Sequence, residues 1–345
     1  MKGYIGVIAD PRPDVEKDKD WKAKDLFGSP AVEWKERGED GWMKPILIRN
    51  QDGSSQCMAY AGAKALGVNE MRENGAFINL SPTFIYRLRA NQGEGMWMQN
   101  LLEILVKSGS PKDEWFPCDG LSEAQVTKAP VPSDAVVTEA LKYRGKGYVQ
   151  TKPFDINGIA QAIDVAGSCV IIVRCNIKEW TVKPFIDLNV KESDWDVNHA
   201  ILCTQYGMIN GKRYILVEDS WGSSYGKNGQ RWLSEDFIAK RMFGGGYVID
   251  LENQPLKPSY YFDKDLKKGM VSIDVKNLQR ILVFEGCMTV AEANTGWSVF
   301  GQKTFDAVIR LQEKYKSQIL TPHGLTKGTG YVGIATRNFL NVKYS

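Results

Sequence analysis

The sequence predicts an α+β fold with two lobes, one helical and one of antiparallel β-strands, followed by a small all-α domain of three helices. Two observations lead to this prediction. In the long main region helical patterns come first and strand patterns second, so helices and strands are segregated rather than alternating. Beyond residue 264 apolar residues recur at three- and four-residue spacing, as in Leu278, Ile281 and Leu282, which is typical of short amphipathic helices.

The first helix is predicted to begin at or near Cys57. The segment CMAYAGAKAL is rich in alanine and follows the turn-like DGSS. A second helix is predicted in MWMQNLLEILVKSG, where Gly109 ends it.

Strands are predicted in CVIIVRC, HAILCTQYG and RYILVED. The last two flank Asn210-Gly211, a dipeptide that is a strong signal for a hairpin turn. We therefore expect these two strands to pair antiparallel.

Composition shifts divide the chain into four predicted segments. They are an N-terminal arm at 1–27, a main domain at 28–252, a proline-containing linker at 253–264 and a helical domain at 265–345. Because the arm is short, we do not expect it to act as an inhibitory pro-segment.

Charge and cysteine usage exclude several classes of function. The net charge is only +3, with 44 basic and 41 acidic residues, which argues against nucleic acid as a partner. No run approaches the roughly 20 apolar residues of a membrane span, and the charged N-terminus does not look like a secretory signal. The six cysteines lack CxxC spacing, so we expect reduced thiols, no zinc site and no cofactor.

Cys57 is the cysteine at a predicted helix N-terminus, where the backbone stabilises a thiolate nucleophile. For the other five cysteines, in apolar runs or near turns, a buried or inert thiol is the simpler interpretation. A cysteine nucleophile needs a base, and the chain has two histidines. His323 is in the tail, so His199 is the candidate base in the main region.

A lone histidine is more often structural than catalytic, but the predicted hairpin favours a catalytic role. His199 lies eleven residues before Asn210, and Asp219 lies eight residues after Gly211. Folding at the turn brings both to the open end of the hairpin. Asp219 can then orient the imidazole, as a nucleophile–base–orienter set requires.

Three segments resemble, in order, the nucleophile, histidine and asparagine–tryptophan segments of the papain family of cysteine peptidases. They are NQDGSSQCMAYA, NHAILCTQYG and YILVEDSWGSSYGKNG. The similarity spans roughly residues 31–250 and implies a two-lobed papain-like fold.

The resemblance implies a role for each matching residue. Cys57 would attack the scissile carbonyl and His199 would exchange the proton. The Gln51 amide and the Cys57 backbone N–H would stabilise the oxyanion, and Asp219 would orient the imidazole.

Three further positions would line the substrate site. Trp221 would shield the Asp219–His199 hydrogen bond from water. Glu94 and Gly95 match the strip that binds the substrate backbone, although an isolated Gly-Glu-Gly is often only a loop.

Three positions depart from the family pattern. Asp219 stands where the family usually has asparagine, and a carboxylate there would favour the imidazolium. Ser54 replaces a cysteine that often forms a disulfide, and Met58 replaces the aromatic residue after the nucleophile. A pseudoenzyme that kept the fold without the activity is the alternative.

The tail resembles the peptidoglycan-binding module of bacterial and phage wall hydrolases. The likeness lies in Leu278-Gln279, in the Phe300-Gly301 turn with Thr304, and in the Gly333 turn with Thr336. These residues also suit a helical core, tight turns and helix caps, so a generic docking bundle is the alternative.

The leading hypothesis is a cysteine endopeptidase directed to the bacterial cell wall, with protein or murein peptides as substrate and peptidoglycan as partner. A phage lysin or virion-associated peptidase would combine a wall-binding tail with no signal peptide. The alternatives are a murein-peptide-cleaving lysin and a non-catalytic wall-binding protein. Without wall targeting, the expected location is the cytoplasm.

Overall fold

A computed structural model describes most of the chain, in two compact units. The described residues are 6–13, 32–38, 41–91, 93–187, 191–249, 258, 260–293 and 295–344. Residues 6–12 and 32–249 form the first unit, and residues 260–344 belong to the second. Most of the predicted arm and half of the predicted linker therefore lie outside the described residues.

The first unit contains eight α-helices among its described residues. They are α1 Cys57–Asn74, α2 Pro82–Arg87, α3 Met98–Lys107, α4 Glu123–Thr127, α5 Asp134–Ala140, α6 Ile156–Ala166, α7 Ile177–Val182 and α8 Glu235–Arg241. Short 3-10 turns lie at Asp113–Trp115, Leu141–Tyr143 and Glu192–Asp194.

The described strands of this unit form one seven-stranded sheet. They are β1 Gly147–Thr151, β2 Cys169–Cys175, β3 Phe185–Ile186, β4 Val197–Ile209, β5 Lys212–Glu218, β6 Gln230–Ser234 and β7 Met242–Ile249. The spatial order is β1-β7-β2-β4-β5-β6-β3, antiparallel except between β3 and β6. The predicted α+β class is confirmed. The predicted order holds for α1 to α5, which precede the sheet, whereas α6, α7 and α8 lie between strands.

Helix α1 begins at Cys57, as predicted, and is the central helix of the helical lobe. Its small residues allow close packing: a Cβ added at Gly62 would meet the Leu101 side chain of α3. Met58 and Leu66 are fully or almost fully buried, and the same core includes Leu202 of β4. The helix ends at Gly75, whose φ of 77° is the left-handed conformation that glycine adopts readily. Packing thus fixes the start of α1 against the sheet.

The hairpin predicted at Asn210-Gly211 is present and joins β4 to β5. Both turn residues have positive φ, 51° and 76°, as a two-residue hairpin turn requires. A bulge between Cys203 and Gln205 shifts the register toward the open end, where Leu202 pairs with Glu218. The bulge determines which side chains meet beyond that pair.

Among its described residues the second unit contains the three predicted helices, two four-residue helices and one 3-10 turn. The elements are α9 Ile273–Phe284, α10 Val290–Ala293, α11 Gln302–Lys314, α12 Lys316–Ile319 and α13 Ile334–Tyr344, with a 3-10 turn at Thr321–His323. Two antiparallel bridges, Leu266–Val332 and Val271–Val299, tie the connecting segments together.

The motif residues of the second unit form two similar buried hydrogen-bond sets. Gln279 donates to Thr304 at 2.8 Å and to two backbone carbonyls. Gln312 donates to Thr336 at 3.0 Å and to the Tyr331 carbonyl. Each amide oxygen also accepts from loop backbone N–H groups. These residues therefore hold loops to helices within the unit.

The last residues of the predicted linker belong to the second unit. The backbone N–H of Tyr260 donates to the Tyr344 carbonyl at 2.6 Å, and that of Phe262 to the Asn341 side chain at 2.7 Å. Phe262 is buried. The helical unit therefore begins at or before Tyr260 rather than at residue 265.

We predict that Gln312→Ala destabilises the second unit by about 2 to 4 kcal/mol, because it leaves several buried donors and acceptors unsatisfied. Hydrogen–deuterium exchange should become faster in residues 260–344 and stay unchanged in the first unit. Exposed Gln302→Ala is the matched control and should change stability by less than about 0.5 kcal/mol. Equal exchange in both variants would contradict a structural role for Gln312.

Candidate active site

The open end of the β4–β5 hairpin brings His199 and Asp219 together. His199 Nε2 lies 2.7 Å from Asp219 Oδ1, and both side chains are buried. His199 is held in β4 opposite Val173 of β2. Asp219 follows β5, and its N–H donates to the Gly229 carbonyl at 2.9 Å. The pairing expected from the sequence is present, and it engages Nε2 of the ring.

Cys57 meets the same imidazole from the first turn of α1. Its sulfur is close enough to His199 to raise the pKa of the imidazole, and with Nε2 on Asp219 the ring nitrogen left for the thiol is Nδ1. Thiol, imidazole and carboxylate therefore form one buried cluster. Such a cluster can move a proton between sulfur and ring while the carboxylate fixes the ring.

The Asp219 carboxylate accepts four hydrogen bonds. Oδ1 accepts from His199 and from the Ser220 backbone N–H at 2.7 Å. Oδ2 accepts from Trp180 Nε1 and Arg231 Nη1, each at 2.6 Å. The Arg231 and Asp219 side chains are both fully buried. Every lone-pair direction of this carboxylate therefore faces a donor.

These contacts determine the charge states of the pair. Burial alone raises the pKa of Asp219, but the charges of His199 and Arg231 and the hydrogen bonds from His199 and Trp180 hold that pKa well below its usual range. Burial alone lowers the pKa of His199, whereas Asp219 and the Cys57 sulfur raise it, giving a pKa of about 9. The imidazolium–carboxylate pair is therefore the stable form at neutral pH.

Gln51 lies in the loop before α1 and is almost fully buried. Its amide oxygen accepts from Ser220 Oγ at 2.7 Å, and its amide nitrogen donates to the Ser54 carbonyl. Ser54 Oγ in turn donates to the Gln51 carbonyl at 2.6 Å. An amide nitrogen has two hydrogens, so one remains for an oxyanion. Ser54, at the position of the absent disulfide, thus orders this loop.

Two indole rings enclose the imidazole. The Trp221 ring centroid lies 4.8 Å from that of His199, and the fully buried Trp180 ring lies 6.0 Å away at 88°. Trp221 stacks on the ring, while Trp180 also donates to Asp219. The shielding expected of Trp221 is therefore shared with Trp180.

The predicted substrate strip at Glu94 and Gly95 lies beside the nucleophile loop. Glu94 accepts from Ser55 Oγ at 3.1 Å. The Gly95 backbone is already used internally, because its N–H donates to Tyr86 and its carbonyl accepts from Asn91. The assignment of Gly95 stays a prediction, and its backbone groups are not free for a substrate strand.

Met96, the next residue, pairs instead with the N-terminal arm. Its N–H donates to the Gly6 carbonyl at 3.3 Å, and its carbonyl accepts from the Ile8 N–H at 3.2 Å, so that Val7 and Met96 form a parallel bridge. A Cβ added at Gly6 would overlap the Cys57 sulfur. The described part of the arm therefore lies directly over the thiol at Gly6.

Arg231, Trp180 and Ser220 were missed by sequence reasoning. Arg231 is the charged residue of β6, a short strand all five of whose residues are buried. An arginine in such a strand, twelve residues after Asp219, is the signal that could have identified a buried partner for the carboxylate.

The described cysteine and acidic side chains are not arranged as a metal site. All six cysteines are free and buried. Within the described residues no group of three or more His, Cys, Asp and Glu side chains is arranged to hold a metal. In that same part of the chain no helix is long and apolar enough to cross a membrane.

Comparisons with known proteins agree with this geometry. The family model described as papain family cysteine protease matches residues 29–240, more than half of the chain. Cathepsin K of Gallus gallus is 23% identical over 243 residues, covering 68% of this chain and 67% of that protein. Zingipain-2 of Zingiber officinale is 25% identical over 206 residues, covering 58% and 84%.

Among solved structures, xylellain, a cysteine protease from Xylella fastidiosa, superposes with a TM-score of 0.58. The two are 19% identical over 72% of this chain and 97% of xylellain. At this identity the likeness concerns the fold.

We predict that His199 makes stability fall with rising pH. Its folded pKa of about 9 lies above the ordinary value of 6.5, so its contribution is complete below the ordinary value and is lost as pH rises through about 9. The free energy of unfolding should fall by about 3 kcal/mol across this window. Chemical denaturation at several pH values measures it. His199→Gln should lack this component, and an identical slope in both proteins would contradict the prediction.

We predict that Gly6→Val exposes Cys57. The added side chain overlaps the sulfur, and an overlap costing about 1 to 3 kcal/mol should release the arm and raise the rate of Cys57 alkylation by iodoacetamide roughly tenfold. Peptide mapping by mass spectrometry gives the rate at Cys57. Gly301→Val is the matched control, because a Cβ there meets nothing within 4 Å. An unchanged rate in Gly6→Val would mean that the arm does not limit access.

Proposed function

The chain belongs to the papain family of cysteine proteases, and on that premise we propose that Cys57, His199, Asp219 and Gln51 carry out its peptide-bond hydrolysis. The observation that supports this most directly is the joint burial of Cys57, His199 and Asp219, with His199 Nε2 2.7 Å from Asp219 Oδ1 and the Cys57 sulfur raising the pKa of the imidazole. A thiolate beside an imidazolium is the nucleophile that acyl transfer requires.

The reaction proceeds in two halves. The Cys57 thiolate attacks the carbonyl carbon, and the oxyanion is stabilised by the Gln51 amide and the Cys57 backbone N–H. The His199 imidazolium gives its proton to the leaving amine, leaving a thioester. His199 then takes a proton from water, the resulting hydroxide attacks the thioester, and the carboxylic acid is released with the thiolate–imidazolium pair restored.

Substrate binding requires that the arm leave the cleft. Gly6 lies over the sulfur, and the Met96 backbone groups are bonded to the arm. An extended peptide that replaced the arm would meet the same Met96 N–H and carbonyl. We therefore place the substrate strip at Met96, beside the Glu94 and Gly95 predicted from the sequence, with Trp221 at the edge of the site.

We further propose that the enzyme is an endopeptidase and that its second unit directs it to the bacterial cell wall. Support for wall targeting comes from the Leu-Gln, Phe-Gly and Gly-turn motifs and from a mildly basic sequence after residue 260, which suits an anionic polymer. The substrate is then a wall-associated protein or a murein peptide. A phage lysin or virion-associated peptidase is the setting that this architecture favours.

We predict that Cys57→Ala abolishes hydrolysis, lowering kcat/KM by at least about 10³-fold, because no other side chain at the site supplies a nucleophile. Purified wild type and variant are incubated separately with casein and with isolated sacculi, and released peptides are measured. Cleavage of casein alone indicates a protein substrate, and cleavage of sacculi indicates murein peptides.

The same samples test wall binding by sedimentation with sacculi, which Cys57→Ala should leave unchanged. Gln302→Ala, on the surface of the second unit, is a control for activity. Binding to sacculi without any Cys57-dependent cleavage would favour the non-catalytic alternative. Cleavage without sedimentation would remove wall targeting and keep the peptidase.

A further inference from the structure

The environment of Asp219 is built for a carboxylate and does not suit the asparagine that the family usually has there. Oδ2 accepts from two donors, Trp180 Nε1 and Arg231 Nη1, each at 2.6 Å, while Oδ1 accepts from His199 and the Ser220 N–H. An asparagine would place an amide NH₂ against one of these pairs of donors in either orientation of its side chain. A carboxylate has only acceptors and satisfies all four.

Arg231 has the geometry of a dedicated partner. Its Nε donates to the Trp180 carbonyl at 2.8 Å, and its guanidinium lies 4.7 Å from the centre of the Trp180 ring. The side chain is fully buried, and the residue is the second of β6. A buried arginine is costly unless it is paired, and the partner that carries the opposite charge here is Asp219.

From these contacts we infer that Arg231 is a positioning residue of the hydrolytic site, which with Trp180 requires a carboxylate at position 219 and balances its charge. The Asp219–Arg231 pair thus takes the place of the family's neutral asparagine. The inference rests on the proposed role of His199. Arg231 does not face the substrate, and its effect reaches the reaction through Asp219 and the imidazole.

The balance of charge explains how an aspartate is compatible with a usable imidazole. A buried carboxylate with no cation beside it would bind the imidazolium too strongly for easy proton transfer to the leaving amine. Arg231 shares that negative charge. Removing Arg231 should therefore strengthen the hold of Asp219 on the His199 proton, and neutralising Asp219 should weaken it.

Other ionisable groups near the pair are Cys57 and Lys64 on α1, Cys175 on β2, Glu179 on α7, Glu218 on β5 and Arg241 at the end of α8. Most of these charges are balanced locally. Lys64 pairs with Glu218, and Arg241 pairs with Glu179 at 2.8 Å. Arg231 is therefore the cation whose removal changes the charge felt by Asp219 directly.

The test is the titration of His199 by NMR of ¹³C-labelled imidazole in the full-length protein. Only two histidines are present, so assignment is simple, and His323 in the second unit is the internal reference. Relative to wild type, Arg231→Met should raise the His199 midpoint by roughly 1 pH unit, and Asp219→Asn should lower it by about 1 to 3 units. In the double variant Asp219→Asn/Arg231→Met, the His199 midpoint should lie between that of Asp219→Asn and that of wild type.

Two further variants distinguish a positioning role of Arg231 from a purely structural one. Arg231→Lys keeps the charge and should leave the midpoint close to that of wild type. Arg241→Met removes another buried arginine from a carboxylate pair, so it should lower stability as Arg231→Met does, without moving the His199 midpoint. If Arg231→Met leaves the midpoint at the wild-type value, Arg231 is only structural and the inference is wrong.

Failure of the proposed function would look different. If Cys57→Ala still cleaves the substrates of the wild-type enzyme, the assignment of the nucleophile is wrong, whatever the order of the His199 midpoints. If Cys57→Ala is inactive and the midpoints do not depend on Arg231, only the inference about Arg231 fails. Because NMR does not need access to the cleft, the arm over Cys57 does not affect the outcome.

Discussion

The site depends on one buried carboxylate. Asp219 accepts hydrogen bonds from four donors, two on each oxygen, and so links the imidazole, the loop after β5, α7 and β6. Because a buried charge is tolerated only when it is paired and hydrogen-bonded, these elements must keep their positions. The orientation of His199, and with it the direction of proton transfer, follows from this constraint.

The fold supplies the other half of the site from a separate lobe. Helix α1 shares a buried core with Ala200 and Leu202 of β4 and presents Cys57 at its first turn, while the hairpin presents His199 from the sheet. The thiol and the base are therefore held by rigid elements rather than by loops. The segment that crosses the cleft lies over this pair, and the lack of a side chain at Gly6 allows its backbone to approach the sulfur.

The second unit uses its conspicuous residues for its own stability. The side chains of Gln279 and Gln312 are almost fully buried. Each donates a hydrogen bond to a buried threonine in the first turn of a following helix, Thr304 and Thr336 respectively. A ligand of this unit must therefore be recognised by other, exposed residues. The motif residues therefore indicate the fold of the second unit, and they do not indicate which ligand its surface binds.

The sequence by itself determined the local elements and the choice of candidate reacting groups. Alanine-rich CMAYAGAKAL, the Asn-Gly turn and the scarcity of histidine are local signals, and they led to α1, the hairpin and Cys57 with His199. Tertiary structure alone decided the four donors on Asp219, the place of Arg231 and the position of the arm over the thiol. These contacts join residues far apart in sequence, and their geometry depends on a β-bulge and on side-chain packing, which no periodic pattern of residues encodes.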